Sequence, residues 1–445
     1  MTVRAAGGRI LAVLDVAARR PRWSVTAILF VALALRLAAV VIDGPYQPEK
    51  DALDYHVLAL SIADGEGYTR SNIAAGSEET AFRPPLYPHL LGAVYWLTGE
   101  GVPAGRAFGA VAGAALVLLL YCLANALWGR RVALVTASLA AIFPPLALLS
   151  LPLMSEQTFL VVIVGAVLGG VLAIRGRHGS LRWATAAGVC CGLAMLTRSN
   201  GILVLGLVGL TVLHGFPQPG RRRWLATALL VGAALLTVAP WTARNLSVFE
   251  RPVLVTTQTG FGVAGLLNDE SRLRQDYSGT WVHPIGTRLY GPIYRSPVLD
   301  ESQVDARVRS KALDWALDHP GYVARSGVEN VLRTLELAPN DPVQREVDRE
   351  LLRLTPTAAE LVRWTFWLAG LLSLVGVALI WRRPPLRRGE LWIWAIPLLA
   401  FVVGAAVLGF TRYRAPLYPF VTLLSALALT RAIERAGGES GVSSA

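Results

Sequence analysis

Long apolar runs separated by short arginine-rich segments set the pattern of this chain. The runs are about 16 to 22 residues long, the length at which a helix crosses a bilayer. They predict ten spans, at 24–42, 104–128, 132–149, 156–174, 182–197, 201–216, 224–243, 361–381, 391–409 and 416–433. Pro144, Pro145 and Pro152 break the third run, and the charged Arg198 divides the fifth from the sixth. The pattern predicts an all-α membrane protein of about ten transmembrane helices. Two segments too polar to span remain, 43–103 and about 244–360. The first is expected to carry juxtamembrane helices and the second to be mostly helical. The chain thus divides into a transmembrane core at 1–243, an outer segment at 244–360 and C-terminal spans at 361–445.

Composition agrees with this reading. Of 445 residues 54% are hydrophobic and 16% charged, against about 25% charged in a typical soluble domain. The net charge of +12 is almost all arginine, since Lys50 and Lys311 are the only lysines. A strongly basic chain suggests nucleic acid as a partner, but here the arginines cluster between apolar runs. Arg19-Arg20-Pro21-Arg22, Arg130-Arg131, the stretch from Arg175 to Arg182, Arg221-Arg222-Arg223, the 382–388 cluster and the tail arginines Arg431 and Arg435 all fall on one side if there are ten spans. The positive-inside rule makes that side cytoplasmic, with both termini. The first span is too long for a signal-peptide core and is read as uncleaved. Cys122, Cys190 and Cys191 all lie within apolar runs, so neither a disulfide framework nor a zinc site is expected.

In the first outer loop, residues 50–63 have partial helical spacing and stop at Asp64-Gly65-Glu66-Gly67, which predicts a short helix along the membrane surface. Asp51 and Asp54 share its outer face. Helix capping is the plain role for Asp51 taken alone. Downstream, the prolines of Phe82-Arg83-Pro84-Pro85-Leu86-Tyr87-Pro88 are expected to delay regular helix until residue 88. His89 has no second histidine at metal-ligand spacing, and Arg36, inside the first span, either snorkels or pairs within the bundle.

Further charges fall at the same boundary. Glu156 opens the fourth span after Ser155, Arg198 closes the fifth, and Arg412 and Arg414 close the ninth. Each alone has a structural role as a cap, dipole partner or interfacial cation. Three acids with four arginines at the face where short loops should lack arginine instead suggest a site, and guanidinium groups suit a phosphate at headgroup level.

On these residues the chain resembles the GT-C membrane glycosyltransferases, nearest to the protein O-mannosyltransferases and the lipid A aminoarabinose transferase. The resemblance rests on Asp51-x-x-x-Tyr55, on Arg83-Pro84-Pro85-Leu86-Tyr87-Pro88, on Glu156, on Pro240-Trp241-x-x-Arg244-Asn245, on the stretch from Thr256 to Asn268 and on Arg412-Tyr413-Arg414. It implies a transferase that takes sugar from a polyprenyl-phosphate carrier at the extracytoplasmic face. It implies Asp51 as base, Glu156 as a second acidic position, and Arg83 as a contact to the carrier phosphate. Many relatives have Asp-Glu where this chain has Asp51-Ala52, which leaves a share of the work to Asp54. Nothing resembles the MIR domain of the protein-mannosylating enzymes, which weakens protein as acceptor.

The expected function is therefore an inverting glycosyltransferase in a bacterial inner membrane, acting on an envelope glycan, lipid or protein. Asp51, Asp54 and Glu156 are its catalytic acids, and Tyr55, Arg83, Arg198, Arg412 and Arg414 its substrate-binding residues. No metal or cofactor is called for. A lipid or glycolipid flippase is the alternative, but it predicts acids near the bilayer midplane and internal repeats, and the charges here sit at the edge. Trp281, Tyr290 and Tyr294 are expected to pack rather than to stack on sugar.

Overall fold

The computed structural model describes residues 3–69, 79–99, 101–176, 180–381 and 389–438. Among these residues the regular structure is helical, with one isolated bridge between Thr69 and Glu79. Helices α1 (Val3–Arg19) and α2 (Pro21–Asp43) lead into a connection carrying α3 (Lys50–Ala63) and α4 (Leu86–Thr98). Then come α5 (Val102–Trp128), α6 (Arg130–Ile142), α7 (Pro144–Ala147), α8 (Glu156–Arg175), α9 (Leu181–Thr197), α10 (Gly201–Gly215) and α11 (Arg221–Val248). The second long connection holds α12 (Gln258–Ala264), α13 (Asp269–Arg272), α14 (Gly291–Tyr294), α15 (Glu301–Asp318), α16 (Pro320–Thr334) and α17 (Pro342–Leu351). Finally α18 (Pro356–Trp381), α19 (Glu390–Leu408) and α20 (Tyr418–Ala436) follow.

Each of the ten predicted runs is helical. Among the described residues seven helices are long and apolar enough to cross a membrane, and α6 with the turn through Ser150, bent by 65°, is an eighth if the pair counts as one span. α9 and α10 are apolar but shorter. The chain is a multi-pass helical membrane protein. The bend after α6 follows from Pro144 and Pro145, which can open a helix but cannot continue one. It leaves carbonyls of α6 without helical partners, and Arg36 takes them. This fully buried side chain donates from Nη1 to Ala32 O (3.0 Å) and Ala141 O (3.1 Å), and from Nη2 to Ala140 O (3.2 Å). It neither snorkels nor meets an acid. Gly113 lets it pass, because a Cβ there would lie 2.4 Å from Arg36 Nε.

Charged contacts gather at the two ends of the bundle. At one end Arg131 Nε meets Asp15 Oδ1 at 2.7 Å, and Arg175 meets Glu390 at 2.7 Å while donating to the carbonyls of Ala126 and Leu127. The 382–388 cluster and part of the 175–182 stretch lie outside the described residues. At the other end Arg106 and Arg353 both reach Asp43, at 2.5 and 3.2 Å.

The expected outer helices are present, with two changes. α4 begins at Leu86 rather than after Pro88, because a proline in the first turn forfeits no helical hydrogen bond. α11 continues through Pro240 to Val248, and its last turns are tied down by Trp241 Nε1 donating to Val255 O (2.7 Å) and Thr242 Oγ1 to Leu254 O (2.7 Å). α15 and α16 bear out the expectation that the second segment is mostly helical, split at His319 and Pro320. Tyr290 and Tyr294 are buried against Val304 and Val308, and Trp281 donates to Gly262 O, so all three pack.

α12 docks on α15 through Gly260 N, which donates to Asp305 Oδ1 at 2.6 Å. Burial pushes the Asp305 carboxyl up to about 6 from an ordinary 3.8, against the Gly260 N–H and Arg309, which favour its charge. The folded chain then holds this proton more tightly than the unfolded one. Its stability is full below about pH 4 and falls as pH rises through about 6, by at most about 3 kcal/mol. Asp305→Asn keeps the acceptor and should flatten that slope. Thermal unfolding in detergent between pH 4 and 7 tests this, and identical slopes for variant and wild type refute it.

Candidate active site

α3 sets the site. Its inner face, Ala52, Tyr55 and Ala59, packs on Tyr87, Leu91 and Tyr95 of α4 and on Leu153 and Met154 before α8. Asp51 and Asp54 lie beside that face, Asp51 one helical turn before Tyr55. Asp51 does not cap the helix. Glu49 holds the N-cap position without a side-chain bond, and the Asp51 carboxylate turns to two arginines.

Arg83 stands on a segment held from both flanks. Tyr68 OH donates to Arg83 O (2.8 Å), Thr256 Oγ1 to Phe82 O (2.5 Å) and Thr257 N to Ala81 O (3.1 Å). The buried carboxylate of Glu301, at the start of α15, accepts from Thr80 Oγ1 (2.6 Å), Ala81 N (2.8 Å) and the Thr257 hydroxyl. One side chain of the second connection therefore clasps the first. Glu301→Ala leaves buried donors unmet and should cost about 2–4 kcal/mol. A fall in melting temperature in detergent is the readout, and an unchanged value would remove the clasp.

The charged groups form two linked clusters. Arg83 Nη2 lies 2.7 Å from Asp51 Oδ1 and 2.6 Å from Asp54 Oδ2, which also accepts from Arg83 Nε at 3.1 Å. Arg412 Nη1 lies 2.8 Å from Asp51 Oδ2. Arg412 is placed by the turn at Gly409 (φ 68°) and by Asp348 of α17, which accepts from Thr411 N at 2.6 Å. Burial alone would raise the pKa of the Asp51 carboxyl, but the guanidinium groups of Arg83 and Arg412 outweigh it and hold the group well below the usual carboxylate range. In the second cluster Arg198 Nη1 lies 2.9 Å from Glu156 Oε1. The clusters meet through Ser155 Oγ, which accepts from Tyr55 OH (3.1 Å) and Arg198 Nη1 (3.4 Å), and through Tyr413, whose ring lies 5.3 Å from the Arg198 guanidinium and 5.2 Å from that of Arg412.

The predicted site residues are thus brought together, with one exception. The buried guanidinium of Arg414 is taken by Glu336 (2.5 Å) and Tyr418 OH (3.0 Å), apart from Asp51. The donor set does not suit a divalent cation. Asp51 and Asp54 are both neutralised by arginine, and among the described residues no three His, Cys, Asp or Glu side chains come together as a metal site.

Residues 82–243 match the dolichyl-phosphate-mannose-protein mannosyltransferase family. No curated protein matches significantly. Among solved structures, the oligosaccharyltransferase of Archaeoglobus fulgidus in complex with zinc and sulfate aligns with a TM-score of 0.54 at 16% identity, over 92% of this chain and 50% of that one. The same organism's AglB with an inhibitory peptide and a dolichol-phosphate aligns with a TM-score of 0.53 at 14% identity, over 96% and 53%. ArnT from Cupriavidus metallidurans bound to undecaprenyl phosphate gives 0.44 at 16% identity, over 92% and 78%. The chain shares the fold of the Archaeoglobus fulgidus oligosaccharyltransferase. It spans about half the length of the oligosaccharyltransferase, and at such identity the likeness is one of fold. The family match begins at Phe82, one residue before Arg83, and runs through the Glu156–Arg198 pair. Sequence reasoning passed over Glu301, Asp348 and Glu336, because each meets its partners only through the fold, at separations of 44 to 221 residues, without any local motif.

Proposed function

We propose that the chain is an inverting glycosyltransferase that moves a sugar from a polyprenyl-phosphate carrier to an envelope acceptor at the extracytoplasmic face of a bacterial plasma membrane. The single observation that carries this is the Asp51 carboxylate bracketed by Arg83 and Arg412. The mannosyltransferase family match and the dolichol-phosphate of the AglB structure support a lipid-phosphate substrate. Placing the arginine-rich short loops in the cytoplasm puts both termini there and turns Asp51 outward.

As it stands Asp51 is too well paired to be a strong base. A carrier phosphate that takes up the Arg83 and Arg412 donors removes that pairing and raises the basicity of Asp51 where the acceptor arrives. Asp51 then accepts the proton of the acceptor hydroxyl or amine, whose lone pair attacks the anomeric carbon opposite the phosphate. The bond from that carbon to the phosphate oxygen breaks, and its electron pair leaves with the phosphate, where Arg83 and Arg412 meet the growing charge. Phosphate is a good leaving group, so no acid is needed to protonate it. Asp54 holds Arg83 in aim, and Tyr55 supports the Arg83 guanidinium 5.2 Å above its ring. Arg198 and Arg414 pair with Glu156 and Glu336, whereas Arg83 and Arg412 bracket the Asp51 carboxylate itself, which favours these two for the phosphate.

The test is proteoliposomes supplied with synthetic polyprenyl-phosphoryl mannose or arabinose and extracted envelope acceptors. Product of inverted anomeric configuration is expected. Retention of configuration, or no transfer from either donor, refutes the reading.

A further inference from the structure

A narrow cleft beside the Asp51 cluster is lined by Glu156, Arg198, Asn200, Arg412, Tyr413 and Phe159. Its polar walls are unsatisfied. Glu156 is 4% exposed, yet among the described residues neither of its oxygens accepts a hydrogen bond. Arg198 neutralises it as an ion pair at 2.9 Å, but Arg198 Nη1 aims its hydrogen at Ser155 Oγ. Asn200 Oδ1 and Arg412 Nε are likewise buried without a hydrogen-bond partner, while Arg412 Nη1 reaches the Asp51 carboxylate at 2.8 Å. Buried polar groups are rarely left so, because each lost bond costs roughly 1–3 kcal/mol. A cleft with acceptors on one side, donors on another and the rings of Phe159 and Tyr413 in its wall is complete only when something supplies matching hydroxyls.

Charge separates the two parts of a lipid-linked sugar as occupants of this cleft. Arg198 is matched by Glu156, so this part of the wall has no net positive charge and repays a phosphate poorly. A neutral polyol offers both donors and acceptors at no electrostatic cost. We propose that the cleft holds the hydroxyls of the transferred sugar, with Glu156 and Asn200 accepting from them and Arg412 standing between sugar and phosphate. These residues then determine which sugar is moved. The inference rests on the transferase reading above. The cleft as it stands holds about 10 Å³, room for a single water, so a sugar ring fits only when Arg198 or Tyr413, both partly exposed, turn aside.

The experiment compares binding of bare undecaprenyl phosphate with binding of the same carrier bearing mannose or arabinose, to the full chain in nanodiscs. Asn200→Ala and Glu156→Gln are the variants. Asn200 gives up only a 3.4 Å donation to Ala400 O, and Glu156→Gln keeps the volume. Each should weaken the preferred sugar-bearing carrier about tenfold. Bare undecaprenyl phosphate should bind unchanged to Asn200→Ala and no more weakly to Glu156→Gln, which leaves Arg198 with free charge. Equal weakening of both carriers makes the cleft a phosphate site and overturns the inference, as does no change in either. If the wild-type chain binds neither carrier, the transferase reading itself falls, and this inference with it.

Discussion

Asp51→Asn should lower the rate of sugar transfer by about a hundredfold to ten-thousandfold, the usual contribution of a positioned general base. Asparagine keeps the shape of the side chain but cannot take the acceptor's proton. The substitution also releases Arg83 and Arg412 from the carboxylate that now holds them at 2.7 and 2.8 Å. A carrier phosphate then no longer competes with Asp51, so undecaprenyl phosphate should bind at least as tightly as to the wild type. This split between rate and binding separates a base from a mere structural anchor. If Asp51 only braced the arginines, losing it would weaken carrier binding together with the rate. Transfer near the wild-type rate would end the base assignment outright.

Arg83→Gln is expected to be as damaging for a different reason. Arg83 touches both α3 carboxylates, and it is the first candidate to meet the phosphate. Its loss removes a donor from the leaving group and leaves Asp54 without this cation, so kcat/KM should fall by roughly a hundredfold to a thousandfold. Arg83→Lys is the sharper test. A lysine retains the charge but not the planar fork that spans Asp51 and Asp54. It should therefore recover little of the lost rate while restoring the melting temperature. Full rescue by lysine would mean that charge alone matters and that the fork has no part in placing the phosphate.

The membrane architecture was legible because its signal is local. Apolar runs of spanning length, the Pro144-Pro145 break and the interruption at Arg198 each have a direct physical effect on the helix that contains them. The surface helix at 50–63 was legible for the same reason, from its partial apolar periodicity and its Gly-rich stop. The meeting of Asp51, Arg83 and Arg412 was suggested only by their shared boundary. Distances of 2.7 and 2.8 Å belong to the fold. Two local rules also misled. Asp51 near a helix start read as a cap, although packing of Tyr55 against α4 orients it elsewhere. Pro88 read as a barrier to helix, although the first turn tolerates it. Glu301 was invisible, since a glutamate in an amphipathic helix gives no sign that it will accept from Thr80 and Ala81.

That clasp bears on how the protein matures. Arg83 is made early, but the carboxylate that fixes its segment is translated about 220 residues later, and Arg412 precedes the last span. A chain emerging from the ribosome and threading into the bilayer therefore carries Asp51, the proposed base, long before the residues that surround it. On the proposed mechanism, competence arrives only with the hairpin of α19 and α20, and partly inserted chains are expected to be inert toward a lipid-linked sugar.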